Sequence, residues 1–336
     1  MDSLTHIVVG ACLGEVILGR QMGRKGMMLG AIAQNFPDID AIAGFWMSGG
    51  AELLAHRGLT HSFFFVLVIS PLLSWLCLKW QLKAGVLYYR WIIFWMVQLL
   101  VHIFLDTCNS YGTGLLEPFS DQRFQLDLLF VADPFFTIWP LLFSMMLMFK
   151  RIPHPIRFRM GWIGVLIPLV YVICATRFKV LVTENAERSA MAKNIRYDKI
   201  FTTPTPLNSL LWWVVIPQDS GYYVGYRSVL DKFPHTELEF IPRNDTLAVQ
   251  STNQVEYQLL KKFSAGYYTL EQWSDTLVFN DLRFGRMKGW EEKNARFAFH
   301  YFLNLPDANG LVIQRGRFTG WNSESYKRFF DRILGR

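Results

Sequence analysis

Residues 56–80 read HRGLTHSFFFVLVISPLLSWLCLKW, setting two histidines, an arginine and two hydroxyls at the mouth of a long apolar run. The run from Phe63 onward comes close to the roughly 20 apolar residues that cross a hydrocarbon core. Polar chemistry at that depth is costly, so its presence asks for a use. The same contrast extends over half the chain. Of 336 residues, 51% are hydrophobic and only 18% charged, a balance that fits a polytopic membrane protein better than a soluble one. The long apolar runs fall within residues 1–178. Residues 179–200 read as a polar helical linker, and residues 201–336 as a small soluble α+β domain.

Six segments qualify as helical spans: 5–19, 27–46, 63–80, 86–107, 128–149 and 160–177. The first two are short or interrupted by polar groups, as half-buried or re-entrant helices are. No cleavable signal peptide is read, because the run from Ile7 lacks a basic leader and a small-residue cleavage site. Basic residues fall on alternate connections: Arg20, Arg24 and Lys25, then Lys79, Lys83 and Arg90, then Lys150, Arg151, Arg157 and Arg159. The opposite short loops carry Arg57 and Arg123. The excess of Lys and Arg on cytoplasmic loops then puts both termini, and with them the C-terminal domain, outside the cytoplasm. In the membrane half, topology thus accounts for the basic residues behind the net charge of +7, and no nucleic-acid partner is expected.

That orientation gathers His6, Asp38, Asp40, His56, His61, His102, Asp106 and Asp133 on one side. In HIFLD, residues 102–106, the i, i+4 spacing sets His102 and Asp106 on one helix face, where they suit zinc or manganese. An HxxxD is common, and for this motif alone a hydrogen-bonded pair is the simpler reading. NFPDID supplies Asp38 and Asp40 in a turn that can hold a divalent cation or merely cap a helix. Each Asp near the bilayer centre would cost about 2.5–3.5 kcal/mol, which favours a paired or functional role. In HRGLTHS, Thr60 or Ser62 can cap a helix, and either His56 or His61 can ligate. Arg57 keeps its charge and suits a phosphate or carboxylate, although the stretch by itself also fits an interfacial anchor. Asp133, ahead of Pro134, is a base or supporting carboxylate, or else an ordinary helix-start charge.

No glycine-rich phosphate loop, GxSxG elbow or Cys/His pair occurs. Cys12, Cys77, Cys108 and Cys174 form no CxxC, so disulfide and zinc–thiolate readings fall away. What is left is a His/Asp set large enough for one or two metal ions.

The motifs DSLTH, PDID, HRGLTHS and HxxxD followed by NSYGTGLLEPFS resemble, in order over roughly the first 180 residues, the YdjM-type family of bacterial membrane-bound, predicted metal-dependent hydrolases. That family is in turn similar, distantly, to zinc-dependent phospholipases C and single-strand nucleases. The resemblance implies a bacterial inner-membrane, multi-pass protein and ligand roles for His6, Asp38, His56 or His61, His102 and Asp106. It departs from the phospholipases in having no HxxxE within those first 180 residues, so a three-zinc site is not expected.

The leading expectation is therefore an integral membrane hydrolase holding a divalent metal, zinc or else manganese. Its ligands are drawn from His6, Asp38, His56, His61, His102 and Asp106. Asp40 and Asp133 serve as base or support, and Arg57 positions an anionic group. Membrane lipids are its surroundings, and a phosphoester or lipid-like small molecule is its substrate. A transporter or metal-handling protein could use the same cluster, but would need polar groups continuing to the other face. A non-catalytic envelope scaffold would instead place function in residues 201–336. In that domain Asp281, Arg283 and Arg286 read as salt-bridge partners before substrate contacts, and SESYKRFFDRILGR reads as a basic amphipathic helix suited to anionic lipid.

Overall fold

The computed structural model describes residues 1–47, 49–80, 85–149, 152–292, 294–305, 309 and 321–336. The chain divides into two compact units, one of residues 1–45 and 55–174, the other of residues 46–54 and 175–336.

The first unit is helical. Helix α1 (Ser3–Met22) starts at Asp2, whose carboxylate accepts from Thr5 N, and α2 (Arg24–Gln34) folds straight back along it. Four glycines make that return possible: Gly10 and Gly14 on α1 meet Gly26 and Gly30 on α2. A Cβ built on Gly30 would collide with the Gly10 carbonyl, and one on Gly14 with the Gly26 carbonyl. This small-xxx-small pairing lets two backbones touch, the usual basis of helix association in lipid. A 3-10 helix, Pro37–Phe45, follows. The short helix α3 (Gly49–Ala55) belongs, but for its last residue, to the second unit; a 3-10 turn, Leu59–His61, then leads into α4 (Phe63–Lys79), capped by Ser62 through Phe65 N at 3.1 Å. Helices α5 (Tyr88–Thr107) and α6 (Pro134–Leu147) come next. Helix α7 (His154–Ala192) is 39 residues long and runs on past the unit boundary.

Among the described residues, three helices are long and apolar enough to cross a membrane: α1, α5 and α7. A fourth crossing arises if Gly49–His61 and Phe63–Lys79, bent by 55°, act as one span. The expected six therefore reduce to three or four. Segment 27–46 is not a span, because Pro37 and the two Asp residues break it into α2 and the 3-10 helix. Segment 128–149 shrinks to the 14 residues of α6 because Asp133 caps it. Arg157, expected among the loop charges, is instead buried in a bidentate pair with Glu15, at Nε–Oε1 2.9 Å and Nη2–Oε2 2.5 Å. Lys83, Lys150 and Arg151 lie outside the described residues.

The second unit stacks in four layers. A four-stranded antiparallel sheet runs in sequence order: β1 (Phe201–Pro204), β2 (Leu211–Pro217), β3 (Gly221–Ser228) and β4 (Glu239–Pro242). Strand β2, LWWVVIP, is buried on both faces, which explains its unbroken apolar run. Trp212, Val214 and Ile216 pack on Val182, Ala186 and Ala190 of α7, while Trp213 and Val215 face the second sheet through Leu282 and Phe297. That sheet comprises β5 (Tyr268–Trp273), β6 (Thr276–Arg286) and β7 (Phe297–Phe302). Its outer side is covered by Tyr257 and Leu260 of α8 (Gln254–Phe263). The C-terminal helix α9 (Ser323–Ile333) buries Phe329 and Ile333 against Leu211, with Trp290 and Trp321 beside them. Those two residues of its apolar face are spent on the domain, while Tyr326, Phe330 and Leu334 stay exposed. The stretch GLVIQRGRF, expected as a strand, lies outside the described residues.

Candidate metal centre

Two helix hairpins bring the sequence motifs together. Because α2 returns antiparallel to α1, the residues after Gln34 arrive beside the start of α1, where His6 sits. Because α5 returns antiparallel to α4, the end of α5 with His102 and Asp106 arrives beside the start of α4, just after His61. Gln98 Nε2 ties the hairpins by donating to Gly10 O at 3.1 Å. His102 Nδ1 does the same against Gln34 O at 2.5 Å.

At that junction four side chains converge: Asp38, His61, His102 and Asp106, the last three fully or almost fully buried. His61 Nε2 lies 3.0 Å from His102 Nε2, 3.3 Å from Asp106 Oδ2 and 3.6 Å from Asp38 Oδ1. His102 Nε2 lies 3.5 Å from Asp38 Oδ1 and 3.8 Å from Asp106 Oδ2. Ligands held tetrahedrally at zinc bond lengths of about 2.0–2.1 Å are about 3.3–3.4 Å apart. The measured separations bracket that edge, so the four atoms fit one ion of that size. Asp106 Oδ2 is buried with Arg57 Nε 3.0 Å away, and the Met1 amino group contacts Oδ1. Asp38 brings a second carboxylate to the same two imidazoles, an arrangement that also suits a metal ion.

The surrounding hydrogen bonds fix which nitrogen faces inward. His102 Nδ1 is engaged by the Gln34 carbonyl, which requires the proton there and leaves the Nε2 lone pair directed at the cluster. His61 Nδ1 is 3.1 Å from Asp40 Oδ2, the carboxylate–histidine arrangement that orients metal-binding imidazoles. Asp40 in fact organises the whole HRGLTH turn. Its Oδ1 meets His56 Nδ1 at 2.8 Å, while Oδ2 accepts from Arg57 N at 2.9 Å and Thr60 Oγ1 at 2.7 Å. These contacts hold Arg57 at φ 63°, a left-handed backbone that a non-glycine residue adopts only when its surroundings demand it.

Burial pushes both exposed-side carboxyls, Asp38 and Asp40, upward. The imidazoles beside them, His102 and His61 at Asp38 and His56 and His61 at Asp40, outweigh it and hold both well below the usual carboxylate range. Both therefore carry full charge at neutral pH.

The sequence candidates separate by position. Asp38, His61, His102 and Asp106 form the core group, which decides between the two histidines of HRGLTHS in favour of His61 there. His56 falls in a second grouping with Asp38 and Asp40, but Asp40 is already saturated by hydrogen bonds. His6 lies outside the four and supports Asp106, with Nε2 3.2 Å from Oδ1 and its ring stacked on His102 at 3.9 Å. The Met1 amino group also contacts Asp106 Oδ1. Arg57 is buried with Nε 3.0 Å from Asp106 Oδ2, and its Nη1 donates to Asn109 Oδ1 at 2.6 Å. Asp133 is not in the group: it caps α6 through Phe135 N at 2.9 Å and accepts from Tyr171 OH at 2.9 Å. Its helix-start reading is the one the geometry bears out. Sequence reasoning gave no role to Gln34, which precedes NFPDID, or to Asn109, which opens NSYGTGLLEPFS; only the folded hairpins give them partners. A cavity of about 910 Å³ lies elsewhere, lined by second-unit residues including Tyr226, Arg227, Trp290 and Arg332.

A helical unit with apolar spans and a His/Asp group of metal-site geometry, continued by an α/β/β/α domain, defines the class of protein. The chain belongs to the YdjM inner membrane protein family, whose model matches residues 1–181 and so contains every residue of the group. It is 25% identical over 342 residues to the uncharacterized protein YfhP of Bacillus subtilis strain 168, covering 96% of this chain and 95% of that one. It is 32% identical over 123 residues to the inner membrane protein YbcI of Escherichia coli K12, covering 36% of this chain and 69% of that one. No solved structure matches.

Proposed function

We propose that this protein is an integral inner-membrane, metal-dependent hydrolase, acting on a phosphoester or lipid-like substrate at the extracytoplasmic face. The observation that carries the reading is the convergence of Asp38, His61, His102 and Asp106 at tetrahedral-edge separations. Zinc suits two imidazoles and two carboxylates, and manganese is the other metal the set accommodates. A divalent ion held by these four side chains would take up a water or substrate oxygen as a fifth ligand, and would there lower the pKa of that water and polarise a phosphoryl or acyl oxygen.

The chain's own groups do the rest. Asp40 and the Gln34 carbonyl hold the two imidazoles with their Nε2 atoms inward. His6 and Arg57 hold Asp106 from either oxygen. Asp38, whose side chain is 26% exposed against 1% or less for the other three, is the ligand nearest an opening. A substrate oxygen approaching from that side meets the group over Asp38, with the other three ligands closed behind it.

Elemental analysis of the purified full-length protein tests the reading, followed by a panel of lipid and phosphodiester substrates. One metal per chain with metal-dependent turnover supports it. No bound metal, together with unchanged phenotype and activity in His102→Ala and Asp106→Ala, refutes it.

A metal-handling reading draws on one further observation, that buried polar groups continue beyond His102 through Gln34 and Gln98. Metal uptake into proteoliposomes, absent for the hydrolase, separates the two.

A further inference from the structure

The 3-10 helix that carries Asp38 and Asp40 has a second face. With three residues per turn, positions i, i+3 and i+6 line up on one edge. Along Pro37–Phe45 that edge is Ile39, Ile42 and Phe45, exposed by 49%, 45% and 86%. The other two edges hold Asp38 and Asp40, followed by Ala41, Ala43 and Gly44. An exposed row of two isoleucines and a phenylalanine is not how a solvated turn is built.

The row does not stand alone. Phe36, just ahead of it, stacks with Phe65 of α4 at 6.2 Å between ring centroids and joins the cluster of Val66, Leu99 and Ile103. On the other side of the HRGLTH turn, Leu59, Phe63, Phe64 and Phe119 are exposed by 47%, 44%, 41% and 81%. Phe64 meets Phe119 edge-on at 5.6 Å. Exposed apolar side chains continue down α4 through Leu67, Val68, Leu72 and Trp75. Through Phe36 and Phe65 the start of the 3-10 helix packs on α4, whose exposed side chains are apolar, and the partly exposed Asp38 sits next to Ile39 in the chain.

We infer that the Ile39–Ile42–Phe45 edge seats the acyl chain of a bilayer lipid beside the metal group, so that the lipid's headgroup reaches Asp38 from the membrane. The step from bound lipid to substrate rests on the hydrolase reading; the seat itself does not. A helix with an apolar face lies at the interface with that face about 5–10 Å into the headgroup–acyl boundary, where it meets the chains of bilayer lipids. The substrate class becomes an amphiphile that is drawn laterally from the bilayer, in preference to a soluble phosphodiester.

Two measurements on the full-length protein in phosphatidylethanolamine–phosphatidylglycerol vesicles decide this. A nitroxide is placed at Phe45→Cys in a Cys174→Ser background, since Cys174 is the exposed cysteine and the other three are buried. Oxygen should relax this label several-fold more effectively than a water-soluble nickel chelate. Stronger relaxation by the chelate, or protection from both, overturns the seat. Then Ile39→Ser/Ile42→Ser/Phe45→Ser is compared with wild type at equal metal content. It should lose at least tenfold in turnover of vesicle phospholipid while cleaving a water-soluble short-chain phospholipid at the wild-type rate. Equal loss on both substrates, or on neither, refutes the seat. If the wild type cleaves neither substrate, the hydrolase reading fails and the nitroxide alone decides whether the edge holds lipid.

Discussion

Asp281 in the C-terminal domain and Asp106 in the membrane unit are equally buried, yet their surroundings differ in kind. Arg283 meets Asp281 with Nε at 3.0 and 3.1 Å and Nη2 at 2.6 Å, and its guanidinium lies over the Phe263 ring. That acid is answered by its neighbour two residues on, as the sequence led one to expect. Glu15 is answered in the same way by Arg157. Asp106 has Arg57 on one oxygen, but it shares its space with Asp38 and with two imidazoles whose other nitrogens are already engaged. The comparison teaches where to look for a missing ligand. A buried acid closed by its own cation is structural, while one left facing a second acid and convergent lone pairs is a binding site.

The largest effect should come from emptying that site. His61→Ala combined with His102→Ala removes two of four ligands, and the purified protein should drop from about one metal per chain to background by elemental analysis. Full metal content in the double variant would break the comparison outright. Next in size, Asp281→Ala leaves Arg283 buried without its partner, which typically costs about 3–5 kcal/mol. Thermal unfolding followed by tryptophan fluorescence should show that loss, with metal content per folded chain unchanged. A loss of metal instead would mean that the two regions are not independent. Asp40→Asn should act on the metal through His61, weakening affinity by roughly 10–100-fold in chelator competition, the range for a supporting partner of a ligand histidine. A variant that binds as tightly as wild type would show that Asp40 only shapes the loop. The smallest effect should be that of Gly30→Ala, which forces α2 away from the Gly10 carbonyl; overpacking of this sort costs about 1–3 kcal/mol. A lowered melting temperature in detergent is expected, and an unchanged one would mean that the hairpin is looser than its geometry indicates.

Much of the site could be read from the chain in order. HIFLD puts His102 and Asp106 on one helix face by spacing alone, and PDID and HRGLTHS announce themselves by their cost in an apolar setting. Reading could not divide them into ligands and supports. His56 and His61 are both plausible in sequence, and only the fold sets His61 Nε2 3.0 Å from His102 while leaving His56 on Asp40. Asp133 looked like a member because the charge bias put it on the same side as the others, but the side is a coarse coordinate. The four glycines were passed over because hydropathy weighs them as neutral, whereas their importance lies in having no Cβ where two backbones meet.

The amino-acid sequence by itself determined an apolar helical half, a β-rich half and the residue types of a metal group, because burial, strand alternation and helix spacing are properties of neighbours in the chain. The tertiary structure alone decided which four of the candidates share a point in space. It also decided that Asp40, Gln34 and Arg57 hold them, and that the edge beside Asp38 is Ile39, Ile42 and Phe45. Those outcomes depend on hairpins that join residues far apart in the chain, 68 positions between Gln34 and His102 and 88 between Gly10 and Gln98. A contact across that separation is set by packing of backbones, which no local pattern encodes.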